Sequence, residues 1–216
     1  MEKKLLQKKI VQTYKQLKSQ IETRLKEFRS TYKKSDLEIF KELLFCILTP
    51  QSKAEKAWQI IKDLEKENLI LETPQDILEE KLKNVRFRFN KTKYIKEAQD
   101  RFVKGKRIIL KEIIEQFNDE KEIRRWLINN VKGLGMKEAS HFLRNIGKGE
   151  NLSILDRHIL RALKELEIID EIPKTLTSKR YEDIELKMKK FADEINMSLS
   201  HLDFVLWQIQ TGRIFK

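Results

Sequence analysis

The sequence predicts an all-α protein, and three observations support this fold class. Apolar residues recur every three or four positions along most of the chain, as they do on one face of a helix. Only six glycines and three prolines occur in 216 residues, so few positions interrupt a helix. No convincing alternation of apolar and polar residues is present, and VRFRF (85–89) is too short to indicate a strand. We expect nine or ten helices.

The first helix is predicted from a single apolar face near the amino terminus. The residues of this face are Leu6, Ile10, Tyr14, Leu17, Ile21, Leu25 and Phe28. A helix near the carboxyl terminus has the same spacing, in Ile184, Met188, Phe191 and Ile195. Because both faces repeat every three or four positions, each helix is expected to bury one side.

The other helix starts are placed by residues whose side chains accept hydrogen bonds from free backbone N–H groups. Ser35 or Asp36 is expected to begin a helix that continues to Leu48. The remaining expected N-cap residues are Ser52 (for a helix to Leu64, after the break at Pro50), Thr73 before Pro74, Asn90, Asp119 and Ser178. Proline supports the start at Thr73, because the first helical position needs no backbone N–H.

The helices are expected to form one domain that spans residues 1–216. Loops are predicted at 147–153 and 170–177, and both read as connections within a bundle rather than as flexible linkers. Internal repeats and low-complexity tracts are absent from the sequence. We therefore expect a compact bundle that is organised as two helical lobes.

The net charge indicates the class of partner. Lysine and arginine total 46 against 34 acidic residues, which gives +12 and an isoelectric point near 9.6. Basic side chains bind phosphates by displacing condensed counterions, so a nucleic acid is the expected partner. The alternative is the solvated, Lys/Glu-rich surface of a thermophilic protein.

Cysteine use excludes several kinds of site. Cys46 is the only cysteine and lies in the apolar run ELLFCILT (42–49), so we expect it in the core. A single cysteine allows neither an internal disulfide nor a four-cysteine zinc or iron–sulfur site. The amino terminus lacks the apolar stretch of a signal peptide, and no segment approaches the ~20 apolar residues that span a bilayer. A cytoplasmic protein without membrane contact is expected.

Two of the six glycines lie close together in VKGLG (131–135), between two helical patterns. This helix-hairpin-helix pattern covers residues 120–146 approximately. Gly133 and Gly135 allow a tight turn and a close approach of the backbone to a ligand. The N–H groups that begin the next helix, from Met136 onward, point outward and bind anions such as phosphate. The pattern favours a sequence-independent grip on one DNA strand; a plain corner between two helices is the alternative.

Lys137 and Asp156 are the two candidate catalytic residues. Lys137 begins the helix after the hairpin, at the end where the helix dipole disfavours a cation, and a neutral amine is what Schiff-base chemistry requires. Asp156 follows 156 − 137 = 19 residues later, so the intervening loop is long enough to return its carboxylate to the hairpin. The alternatives are an ordinary surface lysine and an N-cap for the helix that begins at Arg157.

These motifs resemble the helix-hairpin-helix DNA glycosylase superfamily, through GLGMKEA (133–139) and ILDRHIL (154–160). Further segments resemble one branch, the archaeal-type 8-oxoguanine DNA glycosylase/AP lyases (the Ogg branch). These segments are FCILTPQSKAEKAW (45–58), VRFRFNKTKYI (85–95), DEIPKTL (170–176) and LDFVLWQIQTGRIFK (202–216). The resemblance covers nearly the whole chain and implies two closely packed helical lobes with the active site in the cleft between them.

The resemblance implies a bifunctional enzyme of base-excision DNA repair. In this superfamily the lysine attacks C1′ of the damaged nucleotide and the aspartate assists, and β-elimination then cleaves the strand; these roles match Lys137 and Asp156. No cofactor or catalytic metal is expected, although the hairpin is a possible site for a monovalent cation, as in related hairpins. The expected partner is double-stranded DNA that contains 8-oxoguanine or an abasic site. We expect a monomer that acts at the nucleoid of a prokaryotic cell.

The resemblance also assigns residues to the damaged base and to the DNA. Gln51, after LTP, matches the side chain that fills the gap left by a flipped nucleotide; a polar residue of a helix–helix turn is the alternative. Phe87 matches the aromatic residue that stacks on the base, with Trp207 as a second wall, although Phe89 is close enough to replace Phe87 and core packing is the alternative. The remaining expected DNA contacts are Arg86, Arg88, Gly133, Gly135, Met136, Arg157 and His158. Structural roles are expected for His141 and Asp203.

Lys216 matches a C-terminal lysine that helps this branch to distinguish 8-oxoguanine from guanine. The oxidised base carries an N–H at position 7, which guanine lacks. We expect the terminal carboxylate of Lys216 to accept a hydrogen bond from that N–H.

Three other functions are weighed against this one. A non-catalytic DNA-binding module needs neither Lys137 nor Asp156, because phosphate binding requires neither residue. A glycosylase for another oxidised base, such as a pyrimidine, is disfavoured by VRFRF and the terminal IFK. A helical scaffold for protein interactions leaves the hairpin unexplained.

Overall fold

The computed structural model describes residues 2–212, which form eleven α-helices and one two-stranded sheet, so the all-α prediction is confirmed. The helices of the first half are α1 (Glu2–Tyr32), α2 (Asp36–Leu48), α3 (Ala54–Lys66), α4 (Gln75–Lys81) and α5 (Arg88–Phe102). The strands β1 (Val103–Lys104) and β2 (Arg107–Ile108) follow. The remaining helices are α6 (Leu110–Ile114), α7 (Glu120–Asn130), α8 (Met136–Asn145), α9 (Arg157–Glu165), α10 (Ser178–Glu194) and α11 (Leu199–Thr211).

The sheet was not predicted from the sequence. Its strands pair antiparallel, Val103 with Ile108 and Lys104 with Arg107. The turn between them contains Gly105 in the left-handed region, with φ +64°. Two residues per strand are too few to show an alternating pattern, so the sequence carries no strand signal here.

Two predicted helix starts are confirmed. Ser35 is the N-cap of α2, which ends at Leu48 as expected. Asp119 is the N-cap of α7, and its carboxylate accepts hydrogen bonds from the N–H groups of Lys121 and Glu122 at 2.5 and 3.2 Å. No helix within residues 2–212 is long and apolar enough to cross a bilayer.

Four predicted helix starts are wrong by one to three residues. The N-caps found are Lys53 rather than Ser52, Pro74 rather than Thr73, Phe87 rather than Asn90, and Thr177 rather than Ser178. In two cases the side chain has another partner. The hydroxyl of Ser52 accepts a hydrogen bond from Lys91, and that of Thr73 donates to the carbonyl of Leu69.

The core consists of two hydrophobic clusters, each corresponding to one of the two expected lobes. The first cluster is formed by α2–α8 and includes Cys46, which is fully buried as predicted. The second is formed by α1, α9, α10 and α11. Helix α1 thus packs with α9 and α11, near the other end of the chain. On the predicted apolar faces, the buried members are Ile10, Ile21, Leu25, Phe28, Ile184, Met188 and Phe191.

Helix α8 contributes to both clusters. Met136, at its start, belongs to the second cluster, whereas Ala139, Phe142 and Leu143 belong to the first. A helix whose buried residues are divided between two clusters lies where the two packed units meet. The hairpin that precedes α8 is therefore located at the junction of the two lobes.

Candidate active site

The turn between α7 and α8 has the geometry of an anion-binding hairpin. Gly133 adopts φ +88°, a conformation that favours glycine, and a Cβ there would lie 2.7 Å from a ring carbon of Tyr94. Gly135 is the N-cap of α8 and offers no side chain to the free N–H groups of the helix start. The first amides of α8 and its dipole therefore remain available to a phosphate.

Lys137 lies in the first turn of α8, directly after this hairpin. Its ammonium is 2.9 Å from a carboxylate oxygen of Glu138, and the lysine side chain is 29% exposed. The side chain of Lys137 is therefore partly open to solvent. Glu138 was not singled out in the sequence, because an adjacent lysine and glutamate are common in a chain so rich in both.

Asp156 is the N-cap of α9. Its Oδ1 accepts hydrogen bonds from the N–H groups of His158 and Ile159 at 2.8 and 2.9 Å. The capping alternative from the sequence is thus confirmed, and it fixes the carboxylate at the positive end of a helix. Leu155, next to Asp156, and Met136, next to Lys137, both belong to the second hydrophobic cluster. The two candidate residues therefore flank the same lobe.

The loop that carries Asp156, residues 153–156, is held by side chains rather than by regular secondary structure. Three successive backbone N–H groups donate to three different residues. These bonds run from Ser153 to Glu185 (2.8 Å), from Ile154 to Asp203 (3.3 Å) and from Leu155 to the hydroxyl of Tyr181 (3.0 Å). Because all three acceptors lie on α10 or α11, the position of the loop depends on the packing of these helices.

Two buried ion pairs support the same loop. Arg124 donates two hydrogen bonds to Glu185, at 2.8 and 2.9 Å, and Arg144 is 2.8 Å from Asp203. Burial raises the pKa of Asp203 to about 6, although Arg144 opposes the shift. The buried pair confirms the structural role predicted for Asp203. His141 is also buried, with its ring centroid 5.7 Å from that of Phe45.

The two phenylalanines of VRFRF are exposed. Phe87 is 50% and Phe89 is 60% exposed, and the guanidinium groups of Arg86 and Arg88 lie 5.0 and 4.4 Å from their ring centroids. Core packing is therefore excluded for both rings. Phe87 also adopts φ +59° as the N-cap of α5. Exposed aromatic rings beside cations suit contact with a nucleic-acid base.

Trp207 lies on the other lobe, beside the start of α9. Its ring is 5.2 Å from that of His158, at an interplanar angle of 84°. The structure thus brings Trp207, His158 and Asp156 together, whereas Phe87 belongs to the segment that begins α5. Arg157 is exposed, and the side chain of Met136 is buried, so only the backbone of Met136 can contact DNA. Lys216 lies outside the described residues.

Gln51 projects from a tight turn between α2 and α3. It is exposed and adopts φ +52°, in the left-handed region. The turn is held by Lys91, which no motif in the sequence marks. The ammonium of Lys91 donates to the carbonyls of Leu48 (2.7 Å) and Pro50 (2.8 Å) and to the hydroxyl of Ser52 (2.8 Å).

Lys91 is electrostatically connected to the candidate catalytic lysine. It is only 3% exposed. Burial, followed by the positive charge of Lys137, lowers the pKa of Lys91 to about 8, and Glu138 opposes this shift. Among residues 2–212, no group of three or more His, Cys, Asp or Glu side chains is arranged to hold a metal ion.

A two-lobed bundle with a glycine hairpin at the junction, and a lysine in the first turn that follows, is the architecture of a helix-hairpin-helix DNA glycosylase. The particular family follows from the sequence comparison. Residues 21–197 match the family described as 8-oxoguanine DNA glycosylase (Ogg-HhH), and the chain belongs to this family.

Named relatives and solved structures agree with this assignment. The chain is 46% identical over 208 residues to the 8-oxoguanine DNA glycosylase/AP lyase of Fusobacterium nucleatum, with 96% of each chain covered. It is similar to the Methanocaldococcus jannaschii 8-oxoguanine glycosylase/lyase solved in complex with a 15mer DNA containing 8-oxoguanine. That match has a TM-score of 0.87 at 42% identity and covers 98% of this chain and 99% of the other. The 8-oxoguanine DNA glycosylase of Thermotoga maritima gives a TM-score of 0.86 at 33% identity, with both chains fully covered.

Proposed function

We propose that this protein excises 8-oxoguanine from double-stranded DNA and then cleaves the abasic site by β-elimination, with Lys137 as the nucleophile. The observation that carries the proposal is the position of Lys137, in the first turn of α8 directly after the glycine hairpin. A DNA backbone bound at the hairpin brings a deoxyribose within reach of this amine. The identity of the damaged base is inferred from the relatives, since those cited are named as 8-oxoguanine glycosylases.

The chemistry begins at C1′ of the damaged nucleotide. The amine of Lys137 bonds to C1′ as the bond from C1′ to the base breaks, and the base leaves with the bonding electrons and takes up a proton. The amine must lose its own protons, and Glu138, at 2.9 Å, is placed to accept one. Opening of the sugar ring gives a Schiff base, loss of a C2′ proton follows, and the C3′–O bond breaks. The strand is thereby cleaved on the 3′ side of the lesion.

Asp156 is proposed to stabilise the sugar as positive charge develops on it. This role needs a carboxylate that does not move during the reaction. The two capping hydrogen bonds and the three backbone contacts of the 153–156 loop meet that requirement. Removing Asp156 is therefore expected to affect chemistry more than DNA binding.

Excision requires the damaged nucleotide to leave the duplex, at a cost of a few kcal/mol in lost stacking and pairing. We infer that Gln51 fills the vacated space, and its exposed position at a turn tip supports this. Phe87 and Trp207 are proposed to enclose the base from opposite lobes. Lys216 is proposed to take part in recognising the damaged base.

The DNA backbone is proposed to follow the hairpin and the exposed basic residues near it. Arg86, Arg88, Arg157 and His158 are assigned to phosphate or opposite-strand contacts. A cavity of about 500 Å³ beside the hairpin is lined by three basic residues, Arg101, Lys104 and Lys132, and by two acidic ones, Glu97 and Asp100. We further propose that the protein acts as a monomer in the cytoplasm, at the nucleoid. No cofactor takes part in these steps, and a monovalent cation bound by the hairpin carbonyls remains compatible with them.

Covalent trapping tests the proposal directly. The protein is incubated with a duplex that contains 8-oxoguanine, and the Schiff base is reduced with borohydride. We expect a stable protein–DNA adduct from the wild type and none from Lys137→Gln. Lys132→Gln, which removes an exposed lysine from the same hairpin, serves as the control and should retain the adduct at saturating protein concentration.

Other outcomes separate the alternatives. An adduct with an abasic site but not with 8-oxoguanine limits the activity to the lyase step. An adduct that forms on oxidised pyrimidines in preference to 8-oxoguanine reassigns the lesion. If no adduct forms on any of these substrates, the nucleophile mechanism is wrong.

A further inference from the structure

Lys91 is a buried charged residue to which the proposed chemistry assigns no step. It lies on α5 and is 3% exposed. An ammonium removed from water is costly unless its hydrogen-bonding capacity is used. Here all three N–H bonds of the ammonium have an acceptor within 2.8 Å. The residue is thus fully engaged within the protein and does not face the DNA.

The three acceptors of Lys91 surround a single exposed residue. Two of them, the Leu48 carbonyl and the Pro50 carbonyl, lie before Gln51, and the Ser52 hydroxyl lies after it. Leu48 ends α2, so its carbonyl has no partner further along that helix. Lys91 therefore clamps residues 48–52 on both sides of Gln51.

The clamped turn is strained at its tip. Gln51 adopts φ +52°. This region costs residues other than glycine about 1 kcal/mol or more. Such a conformation persists only where surrounding contacts determine it. Besides Lys91, the backbone contributes one bond across the turn, from the N–H of Ser52 to the carbonyl of Thr49 at 3.0 Å.

We propose that Lys91 is a positioning residue for lesion extrusion, which holds the turn at residues 48–52 so that Gln51 enters the space left by the flipped nucleotide. This inference rests on the proposed function and adds a residue to it. Lys91 acts through Gln51 and touches neither the base nor the sugar. Through this turn, the rate of excision from a duplex depends on Lys91 only while Gln51 is present.

A double-mutant cycle tests this dependence. The single-turnover rate of 8-oxoguanine excision from duplex DNA is measured at saturating protein for the wild type, Gln51→Ala, Lys91→Met and the double variant. We expect each single variant to lose about ten-fold or more, because small displacements of a positioning group have effects of this size. The double variant should be no slower than the slower single variant, since both changes remove the same contribution.

Lys41→Met is the matched control. Lys41 is also buried, at 4% exposed, and lies on α2, but its ion-pair partners are Glu38 and Glu65 rather than the turn. Its loss is expected to lower the melting temperature while changing the excision rate by less than about two-fold, and to combine additively with Gln51→Ala. If Lys91→Met does not fold, Ser52→Ala replaces it in the cycle. Ser52→Ala should lower the excision rate by less, and its effect should be non-additive with Gln51→Ala in the same way.

The inference is overturned if Lys91→Met excises at the wild-type rate, if Gln51→Ala does, or if the two losses multiply. It is also overturned if Lys41→Met reproduces the behaviour of Lys91→Met, because general destabilisation then explains both. A wild-type protein that does not excise 8-oxoguanine refutes the proposed function itself. If the wild type excises 8-oxoguanine but the losses caused by Lys91→Met and Gln51→Ala are independent of each other, only the role of Lys91 is refuted.

Discussion

Lys137 and Asp156 occupy similar positions on two different helices. Each lies at a helix start, where the dipole is positive. At the start of α9 two backbone N–H groups hold the carboxylate of Asp156. At the start of α8 the glycine N-cap leaves the first N–H groups open beside Lys137.

The stability of the protein should depend on pH through Lys91. Its pKa is lowered from 10.5 to about 8 in the folded state. Below pH 8 both states hold the proton, whereas between pH 8 and 10.5 the unfolded chain keeps it and the folded protein releases it. The free energy of unfolding of the wild type should therefore rise with pH in this window, relative to that of Lys91→Met, by at most about 1.4 kcal/mol per pH unit.

Urea denaturation of both proteins at pH 7, 8, 9 and 10 measures this difference. Lys41→Met is again the control. Burial lowers the pKa of Lys41, but hydrogen bonds to Glu38 and Glu65 outweigh burial and raise it above 10.5. The difference between wild type and Lys41→Met should therefore stay constant up to pH 10. A constant difference for Lys91→Met as well would contradict the proposed ionisation.

Residues that act through local hydrogen bonds are the ones the sequence predicts well. Asp119 and Asp156 cap helices whose first N–H groups are two or three positions away, so the partners are visible in the sequence. Lys91 bonds to groups 39 to 43 positions away, two of which are backbone carbonyls. Any residue type offers a carbonyl, so no pattern marks such a partner in advance.

At the scale of the element, the hairpin depends on Gly133 for two separate reasons. Its φ of +88° disfavours other residues, and a Cβ would approach Tyr94 Cδ2 at 2.7 Å. Gly133→Ala should lower the free energy of unfolding by roughly 1–3 kcal/mol and weaken DNA binding, because the turn must shift to admit the methyl group. Chemical denaturation and a fluorescence-anisotropy titration measure the two effects.

Gly105→Ala separates the two causes. Gly105 also has a positive φ, +64°, but a Cβ there meets nothing within 4 Å. This variant should therefore lose only the conformational part of the stability and should bind DNA as the wild type does. Equal losses in both variants would show that the contact with Tyr94 is unimportant.

The prediction of elements succeeded where a pattern was long and failed where it was short. The long apolar faces of α1 and α10 are buried as expected. Asn90 is the predicted N-cap of α5, yet the helix begins at Arg88, after Phe87 in the left-handed region. The 153–156 loop was equally hidden, since its three acceptors lie 26 to 49 residues later in the sequence.

At the scale of the whole molecule, the charge of +12 should make DNA binding strongly dependent on salt. The logarithm of the binding constant is expected to fall linearly with the logarithm of the salt concentration. Lys132→Gln, in the hairpin, should reduce the magnitude of this slope by about 1, which corresponds to one lost phosphate contact. Titrations at several salt concentrations give the slope.

Lys187→Gln tests whether position or net charge is responsible. Lys187 is exposed on α10, and its substitution changes the net charge by the same amount. Its slope should match that of the wild type. Identical slopes for Lys132→Gln and Lys187→Gln would mean that the positive charge acts as a whole rather than through the hairpin.

The two lobes were expected from the resemblance, but their composition was not. Nothing in the periodicity of α1 indicates that it packs with α9 and α11 at the other end of the chain rather than with its neighbours α3 and α4. An amphipathic face shows that a helix is buried on one side without naming the partner. Contacts between distant segments depend on the complete set of helices.

The position of α8 between the two hydrophobic clusters has a consequence for how this protein tolerates mutation. Its first residue packs in one cluster, later residues pack in the other, and its first turn carries the proposed nucleophile. Eight of its ten residues are buried. Substitutions should therefore accumulate at exposed positions of α1 and α10 rather than on α8.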